Sequence, residues 1–328
     1  MHFLFNERRI CVKLVNELLS IKYPIIQGGM GNISNAQLTA AVSNAGGLGT
    51  IGCGTMAPAQ VESIILETKD LTDQPFAINI PINVSPYTEE MIQLVIKHKI
   101  PVVSLSAGNP APYISRLHEH NIKVIVIVAA VKHAQKAEEA GADVLVAEGF
   151  EAAGINSNLE LTTFTLIPQI CKHVSVPVLA AGGIGDGHGL AAALMLGASG
   201  VQMGTRLIAT MDAPFHSTYK NRLIEAGDQE TVILGRSVGQ VRRVLKSGYA
   251  KQIIDLERQG LSEEQYRQMT SEDFHLKGAL RGDGENGFMN SGQIAGLIED
   301  IPTVQELLDG MMSEARAVME ERLRLFTM

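Results

Sequence analysis

Eight short runs of apolar and β-branched residues recur along the first two-thirds of the chain, and their spacing limits the possible folds severely. They are YPIIQ (23–27), LGTIGC (48–53), FAINIPI (76–82), VVSLSA (102–107), VIVIVA (124–129), VLVAE (144–148), VLAAGG (178–183) and VQMGT (201–205), most of them starting 20–34 residues after the last. Apolar residues fall on consecutive positions instead of alternating ones, as in strands covered on both faces of a parallel sheet. Between them, segments such as APAQVESIILETKDL, TEEMIQLVIKHKI, PAPYISRLHEHNI and VKHAQKAEEAGA place apolar residues three and four apart, and AQLTAAVSNAGG ends in glycine, as helices do. Eight β-then-α units before residue 215 predict an α/β fold, a TIM-type (β/α)8 barrel. A doubly wound open sheet is the competing solution. It would run to fewer consecutive units and would carry GxGxxG after its first strand, where this chain has QGGMGNIS.

The remainder breaks the pattern. Residues 215–280 are charged and rich in helix formers (RQGLSEEQYRQMTSEDF), with no strong buried strand, and are expected to form a small helical cap over one face of the barrel. NSGQIAGL (290–297) then returns to the core, and TVQELLDGMMSEARAVMEERLRLF forms a last helix outside it. The expected division is 1–214 for the barrel, 215–285 for the cap or substrate domain, and 286–328 for the return segment and terminal helix.

A chain of 328 residues with 45% apolar and 19% charged residues can bury such a core. Its net charge of −8, with no long Lys/Arg block, argues against nucleic-acid and membrane-surface partners. Cys11, Cys53 and Cys171 are widely separated and form no CxxC, so neither a disulfide framework nor a zinc site is indicated. The opening MHFLFNERRICVKLVNELLS is too charged for a signal peptide, and no stretch approaches the roughly 18 apolar residues of a membrane span. A cytoplasmic protein is expected, with a homodimer left open.

In barrels of this kind, chemistry sits on loops at the C-terminal ends of the strands. Glycines collect there: GGMG after the first strand, AAGGIGDG at the seventh and MGTR at the eighth. The last two loops are a common phosphate site, where glycine lets backbone amides approach and Thr205 adds a hydroxyl. Asp186 would repel an anion and is expected to cap the next helix. GGMG is a second backbone surface, suited to the edge of a flat ring with Met30 packed beside it. Asn79, inside FAINIPI, is a buried amide that needs partners, either a ligand ring or a neighbouring strand. Glu148 either accepts hydrogen bonds from a ribityl chain or binds a backbone amide. A flat heterocycle carrying one phosphate describes FMN. A barrel binding a sugar phosphate, with no redox chemistry, is the alternative.

Taken in order, YPIIQGGMG, AGGLGTIG, PFAINI, GADVLVAEGFEAAG, PVLAAGGIGDG, GVQMGTR and SGQIAGL resemble the nitronate monooxygenase family, which also contains the flavin-type enoyl-acyl carrier protein reductases. The resemblance covers nearly the whole chain and is weakest at the N-terminus and over 206–280. It implies noncovalent FMN, with Gly28, Gly29 and Met30 on the isoalloxazine. Asn79 and Glu148 would hold ring and ribityl groups, and Gly182, Gly183, Gly204 and Thr205 the phosphate. LTDQPFAINI, AGNPAPYISRLHE and EGFEAAG look closer to the enoyl reductases. That side of the family implies NADH or NADPH as reductant and an activated alkene, such as an acyl thioester, as acceptor. Oxidation of alkyl nitronates with O2 is the alternative activity.

Family members commonly carry a histidine directly after the EGxExxG segment. Here that position is Ile155, followed by Asn156 and Ser157. Ile cannot move a proton, and Asn and Ser are poor bases near neutrality. This counts against removal of an α-proton from a neutral nitroalkane. A pre-ionised nitronate needs no such base, and an enoyl acceptor could take its proton from solvent. Glu151, if turned inward, is the remaining acid on this loop, so Glu151, Asn156 and Ser157 are the catalytic candidates. His188, His133 and His173 read as surface residues, and His216 and His275 as cap residues that meet a substrate or stand idle. Cys53 reads as a buried filler more than a nucleophile. Arg242 and Arg243 would grip a nicotinamide dinucleotide or a phosphopantetheine phosphate, or else sit on a solvated helix face. A ligand-binding protein that lost catalysis with its histidine is a further alternative.

Overall fold

The computed structural model describes residues 14–326; Cys11 and most of the N-terminal segment discussed above lie outside them. Its centre is an eight-stranded parallel barrel. The strands are β1 (Ile25–Gln27), β2 (Gly49–Gly52), β3 (Phe76–Pro81), β4 (Val102–Ser106), β5 (Lys123–Val128), β6 (Val144–Glu148), β8 (Val178–Ala181) and β9 (Gly200–Met203). The short β7 (Gly154–Ile155) belongs to a second sheet. Barrel neighbours run β1-β9-β8-β6-β5-β4-β3-β2, and a single parallel bridge between Ile26 and Leu48 joins the two ends. All eight runs found in the sequence are strands of this barrel, so the TIM-type reading holds.

Strand alternation divides the apolar residues between two layers. Ile26, Leu48, Ala77, Val102, Ile125, Val144, Val146, Leu179 and Ala181 point inward and pack as one cluster with Val15 and Leu19. The last two belong to a short helix (Val15–Leu19), which thereby fills one end of the barrel with apolar side chains. The other inward–outward set faces the helical ring. Seven helices of that ring lie between successive barrel strands, and the eighth place is taken by the C-terminal helix Val304–Leu323, which packs on the helices Gly187–Met195 and Ala36–Asn44. Close approach is demanded at Gly49, where a Cβ would come within 1.9 Å of the Thr39 carbonyl oxygen on the covering helix.

The cap holds more than helices. The expectation of no buried strand between 215 and 280 is corrected: β10 (Thr231–Leu234) and β11 (Arg242–Leu245) form an antiparallel hairpin, and β11 is buried along its length. β7 pairs with β11 through Arg242–Ile155 and Arg243–Gly154, which ties the loop after β6 to the cap. The hairpin's apolar face packs against Tyr249, Ile253, Tyr266 and Phe288, giving the cap a small core of its own. Among the described residues no helix is long and apolar enough to cross a membrane.

Candidate active site

Two residues beyond the last inward apolar side chains, the barrel lining turns polar. Ala77 is followed inward by Asn79, Val146 by Glu148 and Gly200 by Gln202. Asn79 is buried, and its Nδ2 donates to the Ser104 carbonyl oxygen at 3.3 Å and to the hydroxyls of Ser104 and Ser106, each at 3.2 Å. The two serines fix the amide so that Oδ1 turns toward Gly29, where a Cβ would lie only 2.5 Å away. Gly29 is therefore required by contact, and β1's rim passes directly over Asn79.

Glu148 ends β6 half-buried, and desolvation pushes its pKa up to about 7. Among the described residues neither the Glu148 nor the Gln202 side chain has a hydrogen-bond partner, although both backbones are paired in the barrel. A desolvated carboxylate and a buried amide, both unpaired, beside an oriented Asn79 make an acceptor-and-donor set with no protein counterpart. A flat heterocycle with polar atoms along its edge fits that set, and the glycines give it room.

Further round the same rim, after β8, Gly182 and Gly183 both have left-handed backbone, with φ of 99° and 74°. A Cβ on Gly182 would meet the Gly149 carbonyl oxygen at 2.9 Å, so a side chain is excluded on two counts. Gly204 has open space around it. The Thr205 hydroxyl accepts from the Gly292 amide at 2.9 Å, so the SGQ segment is packed onto this rim. Asp186 caps the helix Gly187–Met195 through the Gly189 amide at 2.7 Å, as the sequence suggested.

The loop after β6 is held tightly. Both Glu151 carboxylate oxygens accept from the Thr163 amide, at 3.1 and 2.9 Å, and one also from its hydroxyl at 3.0 Å. Its carboxylate is thereby turned toward the start of the helix Thr163–His173. Asn156 donates to the Ala152 and Gly154 carbonyl oxygens, and the Ser157 hydroxyl accepts from the Leu159 amide. Ile155 lies on β7 with 51% of its surface exposed. The three candidates on this loop thus serve its own backbone in this conformation.

The ionisable group that does approach the mouth comes from the cap. His275, on the helix Glu272–Arg281, is 2% exposed, stacks on Phe288 and lies 3.4 Å from a Glu272 oxygen. Burial alone would raise Glu272. The hydrogen bond and charge of His275, with Arg242 and the Asn32 amide, outweigh it and hold the carboxyl at about 2. Glu272 also touches the β1 loop, its Oε2 lying 3.1 Å from where a Cβ on Gly31 would be. On the other side Asn290 Nδ2 is 3.2 Å from His275 Nε2, and Asn290 stands 3.6 Å from a Cβ position on Gly154. His275 is thus buried between the β1 rim and the end of the EGFEAAG loop. Sequence reading gave it no such place, because the burial arises only when Phe288 and Asn290 close over the helix.

The remaining side chains sort simply. Arg242 and Arg243 lie on a buried strand, which removes the solvated-helix reading. Cys53 is fully buried, and desolvation drives its thiol far up, so it is a filler. His133, His173, His188 and His216 are exposed.

Comparison with known proteins identifies the family. The family described as nitronate monooxygenase matches residues 13–91 and 81–314. A Rhodococcus jostii protein named (3aS,4S,5R,7aS)-5-hydroxy-7a-methyl-1-oxo-octahydro-1H-indene-4-carboxyl-CoA dehydrogenase is 32% identical, over 92% of this chain and 95% of its own. A probable nitronate monooxygenase of Staphylococcus saprophyticus is 31% identical, over 93% and 98%. The structure of FabK from Thermotoga maritima superposes with a TM-score of 0.91 at 40% identity, covering 95% of this chain and 98% of that one. With its barrel, its polar upper lining and these relatives, the chain is an oxidoreductase belonging to the nitronate monooxygenase family.

Proposed function

We propose that the protein is an FMN-dependent reductase that takes electrons from NADH or NADPH and delivers hydride to the alkene of an acyl thioester. The carrying observation is the state of the loop after β6: position 155 holds an outward isoleucine, and Glu151 is committed to Thr163. That loop offers no base to a neutral nitroalkane. An enoyl thioester needs none, since the chemistry starts with hydride arrival and ends with proton uptake. Similarity to FabK and to a relative named as acting on a CoA thioester supports the same choice.

Bound flavin would supply the hydride. In this reading Gly28, Gly29 and Met30 face the ring, Asn79 Oδ1 and Gln202 meet its polar edge, and Glu148 accepts from ring or ribityl donors. Gly182, Gly183, Gly204 and Thr205 hold the phosphate. The 215–285 cap covers the mouth and excludes water, with Glu272 fastening it to the β1 loop. Asn156 and Ser157 are left to orient a carbonyl.

A second reading, oxidation of alkyl nitronates with O2, is favoured by the family match and by the Staphylococcus saprophyticus relative. Anaerobic mixing of the purified yellow protein separates the two. Bleaching by NADH or NADPH, followed by reoxidation with a trans-2-enoyl-CoA, supports the reductase. Bleaching by ethyl nitronate alone, with none by either nicotinamide, overturns it.

A further inference from the structure

We propose that the groove between the β10–β11 hairpin and the helix Gly248–Arg258 binds the phosphorylated adenosine end of a coenzyme. The ligand chemistry is an adenosine diphosphate bearing an additional ribose phosphate, which coenzyme A thioesters and NADPH share. The proposal rests on the reductase reading, which requires such a molecule at the barrel mouth.

The groove is open to solvent and offers about 590 Å³, room enough for a nucleotide. Three guanidinium-bearing residues line it: Arg236, Arg243 and Arg258. Arg243 is the telling one. It is 5% exposed, yet among the described residues no carboxylate lies within 4.0 Å of it. Its Nε and Nη2 donate to the Phe150 carbonyl oxygen at 3.1 and 2.9 Å, and its Nη1 donates to the Thr231 hydroxyl at 3.2 Å. Those partners are neutral. Buried cations are ordinarily matched by an anion, and here the protein provides none in contact.

A second guanidinium is brought beside it. Arg243 and Arg236 both lie over the Phe150 ring, with their central carbons 4.9 and 5.7 Å from its centroid. Glu160, paired with Arg236, and Glu151 act on Arg243 only from beyond contact distance, so the two guanidiniums still leave room for a more highly charged anion between them. Arg236 reaches Glu160 at 2.7 Å and Arg258 reaches Asp255 at 3.0 Å, but both are exposed pairs of the kind that exchange partners cheaply. The one carboxylate in the lining, Glu257, is already occupied by the Gly235 amide at 2.7 Å and the Ser237 hydroxyl at 3.0 Å. Val232, Ile233 and Ile254 supply apolar wall for a base or ribose. Guanidinium groups match phosphate geometry better than ammonium groups do.

The groove also starts in the right place. Phe150, whose carbonyl holds Arg243, stands two residues beyond Glu148 on the barrel rim. A coenzyme anchored by its phosphates here can run its reactive arm over that rim toward the polar lining.

The test is calorimetric titration of the full-length, flavin-loaded protein with adenosine 3′,5′-bisphosphate, coenzyme A, adenosine 2′,5′-bisphosphate and NADPH. Arg243→Gln risks the fold because it frees Phe150, so the working variant is the exposed pair Arg236→Gln/Arg258→Gln. Loss of two charge-assisted contacts is expected to weaken binding about tenfold or more, with flavin content and absorbance unchanged. Raising salt from about 0.05 to 0.5 M is expected to weaken it in the wild type as well. Binding of the 3′,5′ compound and coenzyme A supports the site and assigns it to the thioester; binding of the 2′,5′ compound and NADPH supports it and assigns it to the dinucleotide. A flavin-loaded protein that binds none of the four, or binds them equally in wild type and variant, overturns the groove alone. Absence of flavin from the purified protein, with bisphosphate binding intact, overturns the reductase reading and not the groove.

Discussion

Glu148 can be removed with a calculable outcome. Its carboxyl group has a pKa raised from 4.5 to about 7 by burial. A shift of this size corresponds to roughly 3 kcal/mol. The sign follows from proton binding. Between pH 4.5 and about 7 the unfolded chain has lost this proton while the folded chain keeps it, so stability falls as pH rises through that window. Below pH 4.5 both states are protonated and the cost vanishes; above about 7 it is complete. Glu148→Gln removes the charge and keeps the shape. In flavin-free protein, urea unfolding followed by circular dichroism is expected to show the variant more stable by about 3 kcal/mol at pH 8 and equal to wild type at pH 4.5. Flavin-loaded protein is expected to show the opposite preference, because the glutamine retains less acceptor capacity for the flavin's donors, so FMN dissociates more readily from the variant. An equal stability increment at both pH values would refute the argument that desolvation of the charge is the cause.

Two further outcomes follow from the site. Gly29→Ala places a Cβ 2.5 Å from Asn79 Oδ1 and must displace the amide from Ser104 and Ser106; such overpacking costs about 1–3 kcal/mol. The purified variant is expected to carry less flavin per chain, measured by the absorbance ratio, and a wild-type ratio would contradict the contact argument. Glu272, held at about 2, contributes stability above its ordinary 4.5 that is lost as pH falls toward 2, a contribution on the order of 3 kcal/mol. Glu272→Gln is expected to flatten the acid limb of the stability–pH curve over that interval, and an unchanged limb would show that the Glu272–His275 contact does not fasten the cap.

The barrel was legible because its signal is local. VLVAE and VIVIVA are apolar at successive positions, and no alternative to a doubly covered strand accommodates such runs at this spacing. Asn79 was legible for the same reason: a buried amide inside an apolar run needs partners, and it finds them in Ser104 and Ser106 on the neighbouring strand. The hairpin was not. TVIL and RRVL are four residues each, and the second opens with two arginines, which read equally as a phosphate grip or a solvated helix face and not as a strand until Phe150, Phe288 and Asn290 are known to receive them. His275 was read as a cap residue, which it is, but its burial was not foreseen, since EDFHLK carries no mark of burial. Glu151 read as a free loop acid because its partner, Thr163, is twelve residues away across a turn that no periodicity reports.

Hairpin register decides which way each of the two adjacent arginines looks. Arg242 turns to Asn290 and the His275 side, Arg243 to Phe150 and the groove. Successive strand residues face opposite ways, so slipping β11 by a single position would trade their surroundings. The connection Gly235–Val241 therefore acts as an index mark: its length, more than any side chain within it, assigns one cation to the barrel mouth and the other to the outer cleft. Homologues with longer or shorter connections here would be expected to differ in what they grip before they differ in what they catalyse.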